Sequence, residues 1–170
     1  MNKIIECVPN FSEGRDPAVI RQITDAIESV RGVRLLDVDP GESTNRTVVT
    51  FVGEPEPVKE AAFRAARKAA ELIDMAQHQG EHPRFGATDV CPFVPVAGAS
   101  MEECAAMARE VGRRIGEELG IPVYLYEHAA SRPQRRNLAD VRPGEYEEQQ
   151  KKLARPEWQP DFGPAAFNPP

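Results

Sequence analysis

Short β-branched runs alternate along this chain with longer stretches of helical period, and that alternation limits the folds open to it more than any other feature. Residues 3–8 carry Ile4, Ile5 and Val8 and are closed by Pro9, the pattern of a short buried strand. Asp16 and Pro17 then form an N-cap with a first-turn proline, and Ile20, Ile23 and Ile27 recur at helical spacing, so a helix is predicted over 17–29. Two further strands are expected at 33–38 and 47–52, paired as a hairpin with a long tip because Asp39-Pro40-Gly41 and the polar residues after it read as loop. Val58, Ala62, Ala65, Ala69 and Leu72 keep one small apolar face, which predicts a second helix over 57–75 that can approach a sheet closely. A fourth strand is expected at 90–96, and a third helix at 100–118, opened by the capping box of Ser100 and Glu103; a fifth strand is expected at 123–126.

The opening order βαββαβ is that of the split βαβ unit. It predicts an α/β (α+β) fold: a ferredoxin-like βαββαβ core with an added helix and strand, a largely antiparallel sheet, and helices mainly on one face. A chain of 170 residues has room for one such unit. The core is expected within 1–130. Residues 131–170 form a polar extension with one short helix expected near 145–153, and the five prolines among the fifteen residues after Arg155 leave no regular element in that tail.

Charge and composition narrow the partners. A net charge of −6 with a pI of about 5.2 lacks the clustered basic surface that nucleic acid or an anionic membrane requires. No run approaches the ~20 apolar residues of a membrane span, and the first residues carry no secretory h-region. The expectation is a soluble cytoplasmic protein with neither a nucleic-acid nor a membrane partner. Cys7, Cys91 and Cys104 are an odd set without metal-type spacing and read as small core residues in a reducing compartment, with no metal site in view.

Candidate chemistry concentrates in residues 80–96, GEHPRFGATDVCPFVPV. Pro83 biases His82 away from helical geometry, which sets an imidazole that titrates near neutral pH on a turn. On local chemistry alone, a proton-transferring base and a turn-capping histidine are equally open. Asp39, in Asp-Pro-Gly, has the ordinary composition of a turn. Arg46 and Arg84 each offer a guanidinium fork that pairs bidentately with a substrate carboxylate, and a structural ion pair would use the same fork. Arg132, Arg135 and Arg136 form a basic cluster balanced by Asp140, Glu145, Glu147 and Glu148, while His78 and His128 lack supporting context.

The string GEHPRFGATDVCPFVPV, taken with VPNFSEGRD, DVDPGESTNRTVVTFVG, PVYLYEHAA and PDFGPAAFNPP in chain order, resembles the N-terminal subdomain of glutamate formimidoyltransferases, free-standing or fused to a cyclodeaminase. The resemblance implies transfer of a formimidoyl group between 5-formimidoyltetrahydrofolate and L-glutamate, a step of histidine degradation and one-carbon metabolism. Tetrahydrofolate is then a co-substrate, and no metal takes part. His82 matches the catalytic histidine of that family, and Asp39 is implied to orient it. The segment Gly163, Pro164, Ala165, Ala166, Phe167, Asn168, Pro169 and Pro170 resembles the stretch lining the folate site. Such enzymes bind folate and glutamate between two similar subdomains, and this sequence supplies one. The partner expected is the C-terminal subdomain absent from this sequence or a second copy in a homodimer, and the ending within a folate-site segment favours an N-terminal piece. The alternative is a catalytically incomplete folate-binding or interaction subdomain that needs a partner subunit.

Overall fold

Two proline breaks decide how the sheet is laid out. The structure, a computed structural model, describes residues 3–75, 86–126, 129–130 and 160–163. Strands β1 (Ile4–Cys7) and β2 (Asn10–Phe11) run along one edge of β4 (Arg46–Gly53), β1 against its end and β2 against its start. Pro9, which has no N–H to give the ladder, separates them, while its carbonyl still accepts from the Val49 amide at 3.0 Å. Beyond this line lie β5 (Thr88–Val90) on β2 and β6 (Phe93–Ala97) on β1, separated in turn by Cys91 and Pro92. Strand β3 (Val33–Gly41) pairs with the other edge of β4. Six strands thus lie in four lines, and every described pairing is antiparallel.

The α+β class predicted from the element order is what the chain adopts, with local corrections. Asp39-Pro40-Gly41 is strand, not loop: these residues pair with Val48, Thr47 and Arg46, so the hairpin tip shrinks to 42–45. Pro40 is tolerated because, among the described strands, β3 pairs only with β4 and its outer edge needs no ladder donor. The tip turns through Asn45 at φ 51°, a left-handed conformation that asparagine tolerates. The short helix expected near 145–153 lies outside the described residues. Residues 10–11, outside any expected strand, form β2; the single strand expected at 90–96 is two; and of the strand expected at 123–126 only one bridge forms among the described residues, from Val123 to Phe162. Propensity does not show such breaks, because they arise from where each proline meets a neighbouring strand.

The helices start as their caps dictate. Helix α1 (Pro17–Glu28) is capped by the Asp16 carboxylate on the Ala18 amide at 2.9 Å. Helix α2 (Pro55–Leu72) begins two residues before the expected start, because Pro55 itself supplies the first turn. Helix α3 (Met101–Arg114) is capped by Ser100 and runs into a π-turn at Ile115–Leu119 that ends on Gly120 at φ 67°.

Strand alternation sends Ile5, Cys7, Val49, Phe51 and Phe93 to one face. There they form a single core with Ile23 and Ile27 of α1, Val58, Ala62, Ala65 and Ala69 of α2, and Cys104, Met107 and Val111 of α3. All three helices therefore share one face of the sheet. The thiols of Cys7 and Cys91 are 3.7 Å apart, and burial pushes the Cys7 thiol well above its usual range, leaving it an inert core group. Among the described residues no helix is long and apolar enough to cross a membrane.

Helices α2 and α3 are also joined outside the core. The Arg114 guanidinium lies 3.8 Å from the centre of the Phe63 ring and bonds Glu60 and Glu118. Desolvation raises the Glu60 carboxyl, but hydrogen bonds from Arg114 and Arg64 outweigh it and hold the group below its ordinary value. A carboxylate with a depressed folded-state pKa stabilises above its unfolded pKa and loses that contribution as pH falls through the folded value. Glu60→Gln is therefore expected to destabilise the fold by about 0.5–1 kcal/mol at pH 7 in urea denaturation. The difference from the parent should vanish once the pH is below the carboxylate range; a gap that persists there would show that packing, not charge, is responsible.

Candidate functional site

The face opposite the helices is where the polar residues collect. Residues paired across an antiparallel ladder point to the same side, so Asp39, opposite Val48, shares the face of Val48, Thr50 and Val52 and not that of buried Val49 and Phe51. Arg46, two residues before Val48, is on this face as well. It is the diagonal neighbour of Asp39, a relation that puts two residues roughly 7–8 Å apart. Asp39 is exposed there. Val94 and Val96 of β6 extend the face at the far edge and are exposed too.

Arg46 is held in place on three atoms. Its Nε and Nη2 donate to Asn10 Oδ1 at 2.9 and 2.7 Å, and its Nη1 donates to Asp89 Oδ2 at 3.0 Å. The side chains of Arg46 and Asp89 are only 13% and 1% exposed, so this is a buried ion pair. Such a pair is a poor source of net stability, because desolvation offsets its attraction, but it fixes one geometry. Asn10 in turn donates to the Val8 carbonyl at 3.0 Å. The pair thus joins β4, β2 and β5 at one corner.

A second set of bonds pins the chain on either side of that corner. Ser12 donates its amide to the Ala87 carbonyl at 2.9 Å and its hydroxyl to the Gly86 carbonyl at 2.7 Å. The Gly14 amide donates to Asn45 Oδ1 at 2.9 Å, and the Thr47 hydroxyl donates to the Glu13 carbonyl. Gly14 has no substitute here: a β carbon would lie 2.1 Å from the Gly41 carbonyl oxygen and 2.6 Å from the Arg46 nitrogen. The Thr88 hydroxyl beside Asp89 is buried with no hydrogen-bond partner among the described residues. That is a cost of order 1–3 kcal/mol which an incoming group could relieve.

Of the residues singled out in the sequence, the structure brings Asp39 and Arg46 together on one face. His82, Arg84, His78, His128, the arginines at 132, 135 and 136, and Pro164, Ala165, Ala166, Phe167, Asn168, Pro169 and Pro170 lie outside the described residues. Gly163 is placed at φ 84°, far along the chain from the Asp39 corner, against Ile121 and the end of α3. Asn10, Ser12, Gly14, Asn45 and Asp89 were missed. The available signal was composition: Asn, Ser and Gly beside a strand break, and an aspartate between β-branched Thr88 and Val90, where a charge buried in a strand needs a partner.

An α+β layer with its helices on one face and a buried arginine network on the other defines a subdomain that presents a polar surface from a rigid sheet. The profile of the formiminotransferase domain, N-terminal subdomain, matches residues 4–170, and the chain belongs to that family. Over 169 residues it is 61% identical to the formimidoyltransferase-cyclodeaminase of Gallus gallus and 56% identical to that of Dictyostelium discoideum, covering 99% of this chain in each case. It spans 31% and 32% of those two proteins. It is 49% identical to the glutamate formimidoyltransferase of Streptococcus pyogenes serotype M1, of which it spans 56%. The chain thus corresponds to about a third of the first two relatives and about half of the third.

Removing one partner of the buried pair is expected to cost far more than removing both. Asp89→Ala should lower the free energy of unfolding by about 3–5 kcal/mol, because Arg46 is left charged in a dry corner. The double variant Asp89→Leu with Arg46→Met should recover a large part of that loss in the same urea titration. A double variant no better than the sum of the singles would show that the two side chains do not act as a pair.

Proposed function

We propose that this chain supplies one wall of a site that transfers a formimidoyl group between 5-formimidoyltetrahydrofolate and L-glutamate. The observation that carries the reading is the anchoring of residues 86–89. This stem follows directly on the segment containing His82 and is tied by Ser12 and Arg46 to the corner where Asp39 is displayed. The chain's membership of the formiminotransferase family supports the same reading.

The exchange between two amines asks for one proton-transferring group. The glutamate ammonium must lose a proton before its nitrogen can attack the formimidoyl carbon, and N5 of the folate must gain one as its bond to that carbon breaks. His82 takes the first proton and returns it in the second step. Asp39 orients the imidazole and stabilises its protonated form. Arg84 holds the glutamate carboxylates, while Arg46, whose fork is committed to Asp89 and Asn10, fixes the corner beside them. Tetrahydrofolate is the co-substrate, lined by Gly163 and the residues up to Pro170, and the chemistry needs no metal. The protein works in the cytoplasm, in histidine degradation and one-carbon metabolism.

The second wall comes from the C-terminal half of the longer relatives or from a second copy of this chain. That the chain spans between 31% and 56% of the proteins it resembles favours a half-site. It also supports the second reading, a folate-binding subdomain without turnover of its own. Orientation of two bound reactants contributes on the order of 7–11 kcal/mol to such a transfer, and one wall forgoes most of it. The lone chain as a monomer is expected to transfer the group near background in a formimidoyl-transfer assay, and to gain activity when the C-terminal half is added. Full activity from the monomer would refute the half-site.

Two substitutions test the roles within the site. His82→Ala, in the protein carrying both halves, should lower turnover by roughly 10² to 10⁴ with folate binding retained. Asp39→Asn withdraws a negative charge that favours the imidazolium, so the acidic limb of the pH–rate profile should move to lower pH, where the base is then neutral. An unmoved limb would remove Asp39 from the mechanism.

A further inference from the structure

Two of the three free thiols face each other outside the residues assigned to the transfer. Cys7 ends β1 and is fully buried, with its Sγ 3.7 Å from that of Cys91. Cys91 is half-buried at the margin of the core and, with Pro92, stands between β5 and β6 in neither strand. The break nonetheless leans on β1, because the Val8 amide donates to the Pro92 carbonyl at 3.2 Å. Cys104, the third thiol, belongs to the core side of α3.

The facing thiols differ in what can reach them. Burial raises the Cys7 thiol and shuts it off from anything dissolved in solvent, so its inertness is toward external reagents and not toward the sulfur beside it. Cys91 is therefore the point of entry. A disulfide needs about 2.05 Å between its sulfurs. Cys91 is the partner that can close the difference, since its movement breaks no residue pair of β5 or β6.

We propose that Cys7 and Cys91 form a redox-sensitive staple: oxidation joins them, and the bond ties the break at 91–92, with the stem 86–89 that leads into it, to β1. Disulfides of this kind in a reducing compartment are transient and report an oxidant. The oxidant is a small-molecule disulfide or a hydroperoxide. With a disulfide, the Cys91 thiolate attacks one sulfur and a thiolate leaves; Cys7 then attacks the Cys91 sulfur and the second thiolate leaves. The departing thiolates take up the two protons that the cysteines lose, so two cysteines are oxidised and one external disulfide is reduced. With a hydroperoxide, Cys91 becomes a sulfenic acid as the peroxide is reduced to an alcohol or water, and attack by Cys7 releases water. The stem carries Asp89, two residues from Cys91, whose bond to Arg46 holds the corner. The staple thus acts on β5, a strand of three residues with little ladder of its own.

The test is made on the whole chain carrying Cys104→Ala, so that a bond within the chain can form only between residues 7 and 91. Treated with oxidised glutathione or hydrogen peroxide under native conditions, it should lose two hydrogens by intact mass, resist alkylation at both cysteines, and recover both thiols with dithiothreitol. Adding Cys7→Ser should stop the glutathione reaction at an adduct on Cys91. Adding Cys91→Ser should leave Cys7 unmodified until urea exposes it. Amide hydrogen exchange across 86–91 should be slower by about fivefold or more in the oxidised chain than in the reduced one. A chain that keeps both thiols, or that stops at the adduct with Cys7 present, overturns the proposal. So does a bond that leaves exchange at 86–91 unchanged. Where a variant does not fold, peptide mapping of the unsubstituted oxidised chain decides by the presence or absence of the 7–91 cross-link. No step depends on turnover, so the staple and the transfer reading fail separately.

Discussion

The guanidinium of Arg46, buried against Asp89 and Asn10, is the interaction on which the corner around Asp39 depends. Three stretches far apart in sequence meet there: the break after β1, the start of β4, and the stem at 86–89. Two of the three are too short to hold their position through their own ladders, since β2 has two residues and β5 has three. Hydrophobic burial alone would not specify the register of such short strands. A fork that must meet two oxygens at once does, and its burial makes any other arrangement expensive. The backbone bonds of Ser12 and the close passage of Gly14 over the hairpin end then follow from a corner already defined.

How much of this could be read beforehand depends on the range of the cause. The three helices were legible because cap, proline and apolar period are local: Asp16 with Pro17, and Ser100 with Glu103, mark two starts to within a residue. The strand breaks were not, because Pro9 and Pro92 act only through the neighbours they fail to bond. Asp39 was read as a turn from Asp-Pro-Gly, and that composition is an honest turn signal; what overrides it is an edge strand that can accept a proline. The correction helps the functional reading, since a strand residue is held more rigidly than one on a loop. Asp89 escaped notice for the same reason as the breaks: its partner is 43 positions away.

Helix α3 shows how one element can serve two tasks without conflict. Cys104, Met107 and Val111 face the main core, whereas Ala105, Ala108 and the glycines at 112 and 116 face the 121–126 stretch and Phe162. Large residues on the first side and small ones on the second let the sheet pack against a rigid wall while another strap lies nearly backbone to backbone. The π-turn at Ile115–Leu119 lies where this strap is closest. Local unwinding of this kind is uncommon and tends to persist where geometry is used for something beyond folding.

Two regions of the molecule differ in the kind of constraint each imposes. At the Asp39 corner the constraint is electrostatic, and charges are displayed from a sheet whose other face is fully committed to the core. Along the end of α3 the constraint is steric, and the glycines at 116 and 163 let residues 160–163 lie against Ile121 and Pro122, with Asp161 bonded to the Leu125 amide. A transfer between two bound amines needs both, because proton movement demands a placed charge and attack demands a placed ring. In the proposed transfer, the sheet contributes to the first through Asp39, exposed on the face that the helices leave open. An open face positions a flat ring only when another surface closes over it, and that is what a second wall would supply.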